Sequence, residues 1–133
     1  MQDRPTAAEL LEALRVFGEA GDGDNKSARA RFLVRVAANV AAIVEREHES
    51  GPGLLQEQLS SLAALLDREV TGRLDHAGQM ELFDELSAKL SGRIAGGDAD
   101  GGPWRQAVLA YMRANVAARL VIDNPGYDAK ERA

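Results

Sequence analysis

A chain of 133 residues with no cysteine and a net charge of −5 is long enough to close one hydrophobic core without disulfides or a structural metal. It has no basic field for a nucleic-acid duplex or an anionic membrane, so neither is an expected partner. Thiol nucleophiles, thiolate metal sites and disulfide scaffolds are excluded outright. Hydrophobic residues make up 45% and charged residues 28%, the balance of a folded chain rather than a disordered one. Aromatics are only 5%, and the apolar content is mostly Leu, Ala and Val, which fill helix interfaces better than sheet faces. The expectation is an all-α single domain over 1–133, a bundle of about five helices, with a tail that frays from about residue 128.

In chain order, the first helix starts at Thr6, whose hydroxyl can cap a free amide while Glu9, three residues on, reaches back as the other half of a capping box. Leu10, Leu14 and Phe17 form its apolar stripe until Gly18 and the run Gly21-Asp22-Gly23-Asp24-Asn25 break the pattern. A second helix is expected from about Asp24 to Ser27 as far as Ser50, with Phe32, Val36, Val40 and Ile43 facing inward and Gly51-Pro52-Gly53 as its stop. The stripe Leu55, Leu59, Leu62, Leu66 predicts a third helix ended by Gly72. Leu82, Leu86, Leu90 and Ile94 predict a fourth, ended by Gly96-Gly97. Residues 96–102 form a loop of Gly and Asp with one Ala. Pro103 then suits the first turn of a fifth helix carrying Val108, Met112, Val116 and Leu120, which stops before Pro125.

The most unusual feature is an internal echo. Ala38-Asn39-Val40-Ala41-Ala42 on the second helix recurs as Ala114-Asn115-Val116-Ala117-Ala118 on the fifth. Small residues beside each Asn would let helix backbones approach closely, and a carboxamide there could hydrogen-bond across the contact. The helices around Asn39 and Asn115 are therefore expected to be central and to pack together, with Asn39 at least half buried at the core margin. Two readings follow. In one, the Asn residues are satisfied amides that fix helix register. In the other, Arg35, Asn39, Asn115 and Arg119 line a cleft for an anionic ligand, using guanidinium forks and amide donors.

Chemistry-bearing motifs are sparse. Glu45-x-x-His48 has the spacing used in di-iron bundles, but those need a second such pair and two further carboxylates. Asp22-Gly23-Asp24-Asn25-Lys26-Ser27 begins like a calcium loop, yet puts Lys26 at a ligand position, Ser27 where Gly is required and Leu33 where the bidentate Glu belongs. The Gly-Gly runs lack a phosphate-loop lysine and a preceding strand. With two histidines and no Gly-x-Ser-x-Gly turn, spacing supports no nucleophile and base pair. No catalytic residue, metal site or cofactor is expected. The N-terminus has no apolar signal core, and no stretch approaches the roughly 18 apolar residues that cross a bilayer, so a cytoplasmic location is expected.

Three segments carry a resemblance: residues 1–11, Met1-Gln2-Asp3-Arg4-Pro5-Thr6-Ala7-Ala8-Glu9-Leu10-Leu11; Arg35-Val36-Ala37-Ala38-Asn39; and Arg119-Leu120-Val121-Ile122-Asp123-Asn124-Pro125-Gly126-Tyr127. Together they resemble a bacterial family of small helical proteins of unknown function, over nearly the whole chain. The stretch from Gly18 to Asn25 departs from it, being shorter and richer in Gly than the family's extension of the first helix. The resemblance implies genomic company with acyl-CoA dehydrogenases and aminoglycoside-phosphotransferase-like kinases. It also implies an accessory role in acyl-CoA metabolism, with one of those proteins as partner and a homodimer as a linked expectation. It transfers no catalytic residue.

Overall fold

A computed structural model describes residues 4–19 and 28–127, and among these the chain is helical, with no strand. Four helices follow in order: α1 (Ala7–Glu19), α2 (Ala28–Leu65), α3 (His76–Ala95) and α4 (Gly102–Asp123). The chain divides into two compact units, Gln2–Gly51 with α1 and the first part of α2, and Pro52–Ala133 with the rest of α2, α3 and α4. The expected start of the second helix before Ala28, the acidic loop at 22–27 and the tail from 128 lie outside the described residues.

The first helix starts as its sequence predicts. The Thr6 amide donates to Glu9 Oε2 at 2.7 Å and the Glu9 amide to Thr6 Oγ1 at 3.2 Å, the two reciprocal bonds of a capping box. These bonds, backbone amide first, hold the Glu9 carboxyl below its usual range, with Arg4 adding a smaller pull. Leu10, Leu14 and Phe17 share one half-buried stripe.

The largest correction concerns α2. Gly51-Pro52-Gly53 does not end a helix; α2 runs through it for 38 residues, so the second and third expected helices are one. A proline crowds the Cβ of the residue before it, which is what drives that residue out of the α region. Position 51 is Gly and has no Cβ to crowd, so the helix passes, losing one backbone hydrogen bond at the proline. Nor does α2 reach Gly72. It closes at Leu65 in a turn where the Asp67 amide donates to Ala64 O and the Arg68 amide to Ala63 O, with Asp67 at φ 51°. That is the Schellman arrangement, with Asp in the left-handed place that Gly normally takes. The end of α3 uses the same two bonds, Gly97 to Ile94 O and Asp98 to Arg93 O, with Gly97 at φ 91° as its composition leads one to expect.

Asp75 caps α3 by accepting from the Gly78 amide at 2.9 Å, and Pro103 sits in the first turn of α4, which ends at Asp123, before Pro125. In the unit from Pro52 onward, Leu55, Leu59, Leu62 and Leu66 of the α2 stripe pack with Phe83, Leu86 and Leu90 of α3 and Val108 and Ala118 of α4. Trp104 closes one end: its indole Nε1 donates to Leu65 O at 3.2 Å, giving a partner to a carbonyl that the end of α2 leaves free. Arg93 lies over its ring, 3.9 Å from the centroid, and is held there by Asp98 at 2.8 Å.

Two apolar stripes are corrected. On α2, Phe32 and Val36 are exposed, at 55% and 43%, and Val40 and Ile43 are half-buried. On α4, the inward face carries Val108, Ala118 and Ile122, with Trp104 and Tyr111 partly buried, while Met112 and Val116 face solvent. A four-residue spacing starting at Val108 drifts by about 40° per step on a helix of 3.6 residues per turn, so the stripe Val108-Met112-Val116-Leu120 climbs out of the core.

Candidate functional site

In the unit from Pro52 onward, the echo residue Asn115 lies in a polar seam. Gln58 is 6% exposed on the buried face of α2, three residues after Leu55 and four before Leu62, so a carboxamide is carried into the leucine stripe. Buried amides need partners, and α4 supplies one: Asn115 Nδ2 donates to Gln58 Oε1 at 3.3 Å. One turn on, Arg119 Nε donates to Asn115 Oδ1 at 3.1 Å. Asn115 therefore uses its donor toward α2 and its acceptor toward its own helix.

Tyr111, one turn before Asn115, completes the row. Burial raises its phenol above the ordinary tyrosine value, while the Arg119 charge and a hydrogen bond with Asn115 pull the other way. Desolvation wins because a phenolate among apolar neighbours loses more hydration than one nearby cation returns. Burial thus favours the neutral phenol against the pull of its polar neighbours, and Gln58, Asn115, Arg119 and Tyr111 form one row across the α2 and α4 contact.

Of the residues expected to form a site, Asn115 and Arg119 are brought together, one turn apart. Arg35 and Asn39 lie on the first part of α2, in the other unit, and both are exposed. The expectation that Asn39 is at least half buried is corrected: it is exposed, as is Val36 on the turn before it. Gln58 and Tyr111 were missed. The signal for Gln58 was its place in the leucine stripe, where a polar residue demands an explanation. For Tyr111 the signal was its spacing of four from Asn115 and eight from Arg119.

α4 also carries a second surface. Arg105, Leu109, Met112, Val116, Leu120 and Asp123 follow one another at spacings of four and three, which places them in one row along the helix. Met112 and Val116 in the middle are 47% and 55% exposed, and Leu109 and Leu120 are half-buried. Arg105 and Asp123 stand at opposite ends. Among the described residues no group of three or more His, Asp or Glu side chains is placed to hold a metal ion, and no helix is long and apolar enough to cross a membrane.

A family model described as a domain of unknown function, DUF6285, matches residues 24–127. No curated protein and no solved structure matches the chain.

Proposed function

The chain belongs to the DUF6285 family, and within it we propose a non-enzymatic accessory protein that binds a partner protein through the outer row of α4. The single observation that supports this reading is that row: a helix already buried on one face carries a second apolar stripe, with Met112 and Val116 open to solvent. Apolar anchors at such spacing are how a helix docks on a partner helix or groove. Arg105 and Asp123 would set its direction by pairing at the two ends. The partner proposed is the phosphotransferase-like kinase or the acyl-CoA dehydrogenase that the family resemblance puts beside such proteins, in a bacterial cytoplasm and in acyl-CoA metabolism. Self-association through the same face is the linked proposal.

Co-expression with each candidate tests it. Co-purification that is lost in Val116→Lys supports the reading. Failure of both to co-purify, together with a monomer mass by light scattering, overturns it. Val116 is exposed, so the substitution leaves the core intact, which an unchanged circular dichroism melt verifies.

A second reading keeps Asn115 and Arg119, the two expected site residues that lie together on α4, as a site for an anionic, acyl-CoA-like ligand, without Arg35 and Asn39 of the other unit. It is favoured by Arg119, which is half exposed with its Nε already oriented by Asn115. Coenzyme A esters should then raise the melting temperature by mass action, and Arg119→Ala should remove the rise. A flat response leaves Asn115 as a register device.

A further inference from the structure

A cleft of about 380 Å³ opens where the connection between α2 and α3 passes over the start of α3, within the range of small-molecule sites, if at its lower end. The connection is the chain from Leu66 to Asp75, which turns at Gly72, where φ is 84°. Its apolar floor is the buried Leu59 of α2 with the half-buried Leu74 and the more exposed Val70 of the connection, and polar groups make up more of the lining. Its rim is polar: Gln56 and Ser60, one turn apart on α2, face Gln79 of α3. The one charged residue lining it is Arg73.

Three arginines are held by a carboxylate, Arg4 by Glu9, Arg15 by Glu12 and Arg93 by Asp98. Arg73 has none among the described residues, and no carboxylate lines the cleft with it. Gln79 Nε2 donates to Leu74 O at 3.4 Å, tying two residues of the lining together. The chemistry is a guanidinium fork, a fringe of carboxamide and hydroxyl groups, and a short apolar floor.

We propose that this cleft binds a small amphipathic carboxylate: an anionic head paired with Arg73 and a short branched aliphatic body on Leu59, Val70 and Leu74. A bidentate guanidinium pair fixes the head, and three apolar side chains, Leu59, Val70 and Leu74, offer the body a small contact surface. The site is independent of the outer row of α4, so its success or failure leaves the partner-binding reading untouched.

The test uses the full chain labelled with nitrogen-15 and three probes: isovalerate, the uncharged isostere isovaleramide, and inorganic phosphate. Isovalerate is expected to shift the backbone amides of Gly72, Arg73 and Leu74 saturably, with isovaleramide and phosphate each at least about tenfold weaker. Arg73→Gln is expected to lose the isovalerate response while its core amides stay in place. Arg68→Gln, a change in the same connection outside the cleft, should keep it. Equal shifts from isovaleramide overturn the role of the charge. Equal shifts from phosphate overturn the role of the floor, and retention of binding in Arg73→Gln overturns the site.

Discussion

Asn115 spends both ends of one carboxamide, its donor on Gln58 and its acceptor on Arg119, and the consequences are asymmetric. Removing one partner of a buried pair leaves the other unsatisfied, whereas removing both costs little. Asn115→Leu alone should therefore destabilise by about 1–3 kcal/mol, because Gln58 is left without its donor inside the leucine stripe. Adding Gln58→Met should recover most of that loss. Urea denaturation of the two single variants and the double variant gives the coupling, and simple additivity would contradict the seam. Tyr111 makes a prediction of opposite character. Its folded-state pKa is raised by burial, so the neutral phenol stabilises the fold. That contribution is complete below the ordinary tyrosine value of about 10 and is lost as pH rises through the folded value. Melting temperatures recorded upward from pH 9 should fall more steeply for the parent protein than for Tyr111→Phe.

At the scale of elements, local signals were legible wherever a single side chain decides the backbone. Thr6 and Glu9 announced the start of α1, Pro125 the end of α4, and Gly96-Gly97 the end of α3. What could not be read was the sum of two competing rules at Gly51-Pro52-Gly53. Each residue there disfavours helix on its own, yet the missing Cβ of Gly51 removes the clash that gives proline its effect on the preceding residue. The end of α2 was illegible for the opposite reason: an Asp stands where the left-handed turn calls for Gly, so Gly72 drew the expectation five residues too far. Pro52 still lacks the amide that would bond to the His48 carbonyl. Pro52→Ala should restore it and stabilise α2 by up to about 3 kcal/mol. Helix content by circular dichroism and the urea midpoint should both rise, and a fall in either would mean that the proline is needed for packing and is more than tolerated.

On the scale of the whole molecule, the apolar residues are unevenly invested. Every member of the main buried cluster, from Leu55 to Ala118, lies beyond Pro52; in Gln2–Gly51, Leu11, Val16, Phe32, Val34 and Val36 are between 43% and 55% exposed, as are Met112, Val116 and Val121 of α4. Counting hydrophobic residues could not reveal this. The stripes on both parts of α2 look alike in sequence, and sequence does not say that the second is the one that packs with α3 and α4 in the main core. The candidate site shows the same limit. The echo singled out Asn115, but the buried side chain it bonds across the contact of α2 and α4 is Gln58, which the repeat does not contain. Burial of this kind is what gives cooperative unfolding. A fragment of residues 52–133 should therefore keep the parent's core resonances and melt in one transition, and a fragment of residues 2–51 should melt broadly or not at all. Nitrogen-proton correlation spectra of the fragments, overlaid on the full chain, decide it: displacement of the Phe83, Leu86 and Leu90 amides in the larger fragment would show that the core depends on the first fifty residues after all.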